Sequence, residues 1–270
     1  MDLYISDLDG TLLNNKAQIS NNTKNILNKA IDNNINFSIA TARTPATIVD
    51  ILKDVNINLP VISMNGSAIY NIKDNTYISY ITLKESIVKD LLFIFNKYDL
   101  TPFIYTIENN KLFSYYKRLS NSYQIDFFNA RKKSKLKTFI NDDIKDYSNV
   151  LYFTLIDNKY KVEQLYNEIK HMNNIYIVKY KDVYNPNIYN LEIYDINATK
   201  ANAINKLKDY LQFKNLIVFG DNLNDIPMFK ISNECYAVMN AVQELKEIST
   251  SVISYNTDDA VAKFIESRIK

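Results

Sequence analysis

Short apolar runs alternate with longer amphipathic ones along the first eighty residues, and that rhythm predicts a succession of strands and helices. Asp2–Ser6 (DLYIS) is a strand-length run that stops at Asp7, and residues 12–18 are polar turn material. Ser20 or Asn22 can cap a helix in which Ile26, Leu27, Ala30 and Ile31 recur at helical spacing, ending at Asn33 and Asn34. Phe37–Ala40 is the next strand. Pro45 then stands where a first-turn proline is tolerated, ahead of a helix marked by Ile48, Val49, Ile51 and Leu52. Val61–Met64 makes a third strand. Strands alternating with such helices argue a parallel sheet wound by right-handed crossovers.

The rhythm changes near residue 84. A helix over Ile87–Asn96 is followed by strand-like runs at Phe103–Ile107 and Lys111–Tyr116 with no helix between them, which predicts an antiparallel layer. A strand at Val150–Ile156, a helix at Val162–Met172 and a strand at Ile175–Tyr180 complete an α+β insert. After Asn185-Pro186 the first rhythm resumes with Leu191–Tyr194 as strand, Lys200–Leu211 as helix, Leu216–Phe219 as strand and a helix from Ile226. The fold class is therefore α/β, a doubly wound parallel-sheet core over 1–83 and 188–270, interrupted by an α+β domain over 84–187.

Composition narrows the function classes. The chain has 270 residues and a formal net charge of +2, from 32 Lys+Arg against 30 Asp+Glu, which offers no basic stripe for a phosphate backbone, so nucleic acid is not an expected partner. Cys235 is the single cysteine, which excludes an intramolecular disulfide and a cysteine-built zinc site and favours a reducing compartment. No run of about 18 apolar residues is present, and MDLYISDLDG carries acid where a signal peptide carries Lys or Arg. The expectation is a cytoplasmic protein with no membrane partner. Oligomeric state has no readable signal. The lone His171 reads as a surface or half-buried residue, and the run Arg131–Lys137 (RKKSKLK) as a solvated basic face ahead of the alternative, an electropositive lip for phosphorylated substrates.

Glycine usage is the most informative number. There are three, Gly10, Gly66 and Gly220, where average usage of about 7% would give several times as many. They fall in DLDGT, MNGS and FGDNLND. Asparagine is abundant and can take over left-handed positions, so the surviving glycines mark places where a Cβ has no room.

Acids placed just after apolar strands converge beyond the carboxyl edge of an open α/β sheet. Asp7 and Asp9 follow the first strand, and Asp221 and Asp225 follow the one ending at Phe219. Four carboxylates gathered there repel one another unless a cation lies between them, and a hard divalent ion such as Mg²⁺ suits oxygen donors. At the ends of other strands stand Thr41 with the N–H of Ala42, able to cradle a phosphoryl oxygen, and Asn65 beside Gly66. Lys200 opens a helix, where the dipole disfavours a cation, so it should have an anionic partner.

In order and spacing, DLDGT (Asp7–Thr11), ATAR (Ala40–Arg43), MNGSAIY, TKANAI (Thr199–Ile204) and FGDNLNDIPMF (Phe219–Phe229) resemble the haloacid dehalogenase superfamily, and within it the Cof-like phosphatases with a type IIB cap. The resemblance covers nearly the whole chain. It implies a Rossmann-like core with a cap that excludes water and chooses the leaving group. It implies Mg²⁺-dependent hydrolysis of small phosphate monoesters, sugar phosphates or phosphorylated cofactors, through an aspartyl-phosphate. Asp7 would be the nucleophile and Asp9 the acid and base. Mg²⁺ would be held by Asp7, the backbone carbonyl of Asp9, Asp221 and Asp225, and phosphoryl oxygens by Thr41, Ala42, Lys200 and Asn224, with Asn65 shaping its loop. Arg43 would serve substrate or structure. The alternatives are a phosphomutase of the same superfamily and a silent module that binds a phosphorylated ligand. Relatives carry Gly where this chain has Ala42, Asn197, Ala201 and Ala260, which would mean strain of about 1–2 kcal/mol per alanine if positive φ were needed there.

Overall fold

In a computed structural model, described for residues 2–182, 185 and 187–269, the chain divides into two compact units. One comprises the residues up to Ser79 and those from Thr199 onward, the other Tyr80–Ala198.

The first unit is built on a five-stranded sheet in the order Ser251–Val252, Glu234–Ala237, Asn215–Gly220, Asp2–Ser6, Asn36–Ile39. Every pairing in it is parallel, as strands separated by helices require. Asp2–Ser6 lies between Asn215–Gly220 and Asn36–Ile39, so Asp7 and Asp221 leave adjacent strands at the same edge. The helices pack on both faces. Leu27, Ala30, Ile31, Val261 and Ile265 join one apolar cluster, while Ala203, Ile204, Leu207, Met228 and Leu245 join the other. Ser20 caps the helix Asn21–Asp32 by accepting from the Thr23 N–H, and Pro45 occupies the first turn of Pro45–Leu52.

The third parallel strand is only partly realised. Val61–Ser63 touches the parallel sheet through a single bridge, Ala40 to Ile62, and spends its other edge on Ala68–Asn71, antiparallel. With Thr76–Tyr80 these form a three-stranded sheet that the periodicity alone does not reveal.

The second unit is a six-stranded sheet in the order Ile175–Lys181, Ile188–Asp195, Val150–Asn158, Phe103–Glu108, Lys111–Tyr115, Lys137–Ile140. Its pairings are antiparallel except the last. Helices Glu85–Lys97 and Lys159–Ile169 bury Val88, Leu91, Val162 and Leu165 against Phe153, Leu155, Leu191 and Ile193. The strand expected to reopen the core, Leu191–Tyr194, belongs instead to Ile188–Asp195 in the middle of this sheet, hydrogen-bonded on both sides. The return to the first unit therefore falls at Thr199 and not at residue 188, because an apolar strand ahead of an amphipathic helix reads alike in either sheet. Pro186, used as the sequence break, lies outside the described residues.

The helix Ser122–Arg131 escapes periodicity because its buried residue is Gln124, whose amide donates to the Thr101 and Ile156 carbonyls. The basic run is not all solvated either. Lys137 is buried beside the rings of Tyr105, Phe127 and Phe139, and burial, with Arg131 adding to it, pushes its ammonium pKa down to about 7.

Asparagine does replace glycine in turns. Asn34, Asn65, Asn75, Asn109, Asn110 and Asn174 all have positive φ, whereas Ala42, Asn197, Ala201 and Ala260 do not, so the feared alanine strain is absent. Asn109 and Asn110, at φ 49° and 62°, form the two-residue turn between Glu108 and Lys111 that the twist of a hairpin favours. Asn110→Val should lower stability by about 1–2 kcal/mol in urea unfolding, while Asn110→Gly leaves the midpoint nearly unchanged. Equal losses for both variants would show that the turn does not depend on a left-handed residue.

Candidate active site

The carboxyl edge of the first unit's parallel sheet gathers the polar side chains that the sequence singles out. Asp7 directly follows the first strand, its N–H donating to the Phe219 carbonyl at 3.0 Å, and its side chain is buried. The chain then makes a tight turn over Leu8–Leu12 with Gly10 at φ 77°. A Cβ there would lie 2.3 Å from an Asp221 carboxylate oxygen, so the glycine provides both the turn and the room. Thr11 donates its hydroxyl to Asp221 at 3.2 Å. The strand Asn215–Gly220 delivers Asp221, and the short turn Leu223–Asp225 folds Asp225 back underneath it. One Asp225 oxygen accepts the N–H groups of Asp221 and Asn222, at 2.9 and 3.1 Å.

Lys200 joins these pieces. It is fully buried at the first position of its helix, and its ammonium donates to Asp7 at 2.5 Å and to Asp225 at 2.6 Å. The anionic partner expected for a cation at a helix start is thus a pair of carboxylates. Burial opposes the charge, but Asp225 and Asp7 hold Lys200 above its ordinary range. Thr199 caps the helix by accepting the Asn202 N–H, and its carbonyl sits where a Cβ on Gly66, φ 99°, would fall. Gly66 thus lets the MNGS loop pack directly on the backbone that carries Lys200.

One cation does not balance the acids. Asp7, Asp221 and Asp225 each place a ligand atom within 4.8 Å of the others. Burial lifts Asp7 well above the carboxylate range, with Lys200 opposing and Asp225, Asp221 and Asp9 adding to the rise. Burial and then Asp225 push Asp221 up to about 7. Crowded, partly buried oxygen donors with a surplus of negative charge are the chemistry that a hard divalent cation fits.

The remaining residues fall into two groups. Thr41 is buried, with its Oγ1 accepting the Arg43 N–H at 3.2 Å and its carbonyl accepting the Asn65 N–H at 3.0 Å. Asn224 donates its side-chain amide to Asn65 at 3.0 Å, which braces the two loops against each other. Asp9 stands outside the three-carboxylate cluster and is gripped by Arg43. Two residues were missed in the sequence. Asn240 donates to the Gly10 carbonyl at 2.7 Å, while Asn256 donates to the Leu13 carbonyl at 2.7 Å and offers its N–H to the Asn240 side chain. Apolar spacing singles out neither residue; they lie in residues 238–246 and 255–265, which these bonds tie to the loop after Asp7.

The raised Asp221 pKa fixes a sign. The unfolded carboxyl ionises near pH 4 and the folded one near 7, so between these values the folded state holds the extra proton and stability falls as pH rises. With chelator present, wild type should lose ground to Asp221→Asn in thermal unfolding from about pH 4 to about pH 7. A constant gap across that range would contradict the crowded-carboxylate account.

Known proteins resemble this chain over most of its length. A putative phosphatase of Buchnera aphidicola is 28% identical across 95% of this chain and 92% of its own. A 5-amino-6-(5-phospho-D-ribitylamino)uracil phosphatase of Bacillus subtilis is 23% identical across 98% and 96%. The crystal structure of a haloacid dehalogenase-like hydrolase from Bacteroides thetaiotaomicron superposes with a TM-score of 0.80 at 22% identity, covering 99% of both chains, which shows a shared fold. The family model of those hydrolases spans residues 4–265, so the chain that places Asp7, Lys200, Asp221 and Asp225 at one sheet edge belongs to the haloacid dehalogenase-like hydrolases.

Proposed function

We propose that this chain is a Mg²⁺-dependent phosphatase that hydrolyses small phosphate monoesters through an aspartyl-phosphate on Asp7. The observation that carries the reading is the buried Asp7 carboxylate, fixed by Lys200 at the end of its strand with Asp221 and Asp225 beside it. A carboxylate oriented by a cation and shielded from water is suited to attack phosphorus.

Asp7, Asp221, Asp225 and the backbone carbonyl of Asp9 would hold Mg²⁺. When bound, the ion offsets the repulsion between the anionic nucleophile and the phosphate dianion. Lys200 has three ammonium hydrogens and gives two to carboxylates, leaving one for a phosphoryl oxygen. Thr41 receives the Arg43 N–H on its oxygen, so its own hydrogen is available to a second phosphoryl oxygen, with the Ala42 N–H beside it. Asn224 completes the set, and Asn65 fixes its amide.

In the first step an oxygen of Asp7 forms a bond to phosphorus as the ester oxygen departs, and that oxygen takes a proton from Asp9. In the second step Asp9 accepts a proton from water as the water oxygen attacks phosphorus. The bond to Asp7 breaks, and inorganic phosphate and the free carboxylate result. Residues 80–198 are assigned the choice of leaving group, and sugar phosphates and phosphorylated cofactors are the substrates. The ribitylaminouracil phosphatase among the relatives, whose named substrate carries a phosphate on a ribityl chain, supports that range.

Phosphate release from a panel of sugar phosphates, pyridoxal phosphate, flavin mononucleotide and an aryl phosphate should require Mg²⁺, stop with chelator and fall by at least about 10³-fold in Asp7→Asn, which stays folded. Turnover that survives Asp7→Asn, or that ignores chelator, would refute the proposal.

A further inference from the structure

We infer that Arg43 is a positioning residue for proton transfer, aiming the Asp9 carboxylate at the leaving oxygen. The inference rests on the phosphatase reading and adds a residue to it. Lys200 holds Asp7 and Asp225 but not Asp9, whose side chain is 51% exposed, so left alone it would sample several rotamers. Arg43 removes that freedom. Its Nε donates to one carboxylate oxygen and its Nη2 to the other, both at 2.6 Å. Two parallel bonds from a planar fork fix the direction and the tilt of the carboxylate plane, which a single bond does not.

Arg43 is itself anchored. Its N–H donates to Thr41 Oγ1 at 3.2 Å, and its carbonyl accepts the Met64 N–H at 3.0 Å. The same short segment therefore carries the Thr41 hydroxyl, assigned to the phosphoryl group, and the fork that orients the proton donor. Phosphate pocket and acid are held in one frame by three consecutive residues, Thr41, Ala42 and Arg43. Since ion pairs this exposed add little to stability, removing Arg43 should leave a folded protein in which Asp9 is present but loosely aimed.

The test separates aim from structure by the leaving group. An alkyl phosphate needs a proton as its oxygen departs, whereas the nitrophenolate of p-nitrophenyl phosphate leaves without one. The ratio kcat/KM reports the steps up to loss of the leaving group, so water attack on the intermediate does not mask the effect. For Arg43→Ala, kcat/KM should fall on the order of 10²-fold with a sugar phosphate but only a few-fold with p-nitrophenyl phosphate. Arg43→Lys, which keeps the charge and loses the fork, should resemble Arg43→Ala, and Arg43→Ala added to Asp9→Asn should cost little more than Asp9→Asn alone. Equal losses on both substrates, wild-type rates in Arg43→Lys, or a rise in KM at unchanged kcat would overturn the inference while leaving the phosphatase reading intact. A wild type that releases phosphate from neither substrate would overturn the phosphatase reading itself, and the inference with it.

Discussion

The buried ammonium of Lys200, shared between Asp7 and Asp225, is the interaction on which the site depends. Removing one partner of a buried ion pair typically costs about 3–5 kcal/mol, because the other is left charged and dry. Here the loss of one lysine would strand two carboxylates, with Asp221 close by. The lysine also lies at a helix start, where the backbone dipole opposes it, so its placement answers to the acids and not to the helix. Such an arrangement is poor as a source of stability and good as a means of keeping a carboxylate oriented away from bulk water. The remaining negative charge, which adds to burial in displacing Asp7 and Asp221 upward, is what a divalent cation would neutralise.

The backbone is fitted around that pair. A Cβ on any of the chain's three glycines would strike the site: Gly10 against Asp221, Gly66 against the Thr199 carbonyl and Gly220 against Asp225. Asn240 and Asn256 secure the Asp7 loop from the other end of the chain by holding the Gly10 and Leu13 carbonyls. Arg43 does for Asp9 what Lys200 does for Asp7, with the difference that its pair is half open to water. One acid is thus held dry, and the other is held half exposed at the surface.

Much of the architecture was legible because parallel strands and crossover helices impose strong periodicities. Asp2–Ser6, Asn21–Asp32 and Asn215–Gly220 stand where apolar spacing and caps put them. The misreadings arose where the deciding contact was long-range or polar. Leu191–Tyr194 reads as a core strand and lies in the other sheet, since an apolar strand does not announce its neighbours. Ser122–Arg131 shows no apolar period because Gln124 anchors it, and Lys137, which reads as a solvated cation, is enclosed by aromatic rings. At the site, residue types and their order identified Asp7, Asp221, Asp225 and Lys200 as neighbours. The Asp9–Arg43 fork and the two asparagine braces were beyond reach, because they depend on side-chain directions between segments far apart in sequence.

The proposed phosphatase chemistry stands or falls on where the phosphoryl group goes. The most direct measurement is acid quench of a single turnover with a good substrate and Mg²⁺, followed by mass spectrometry of the proteolytic peptides. The account predicts one added phosphoryl group on the peptide that contains Asp7, and none in Asp7→Asn. A phosphoryl group on another residue, or rapid turnover with no covalent species at any quench time, would contradict it.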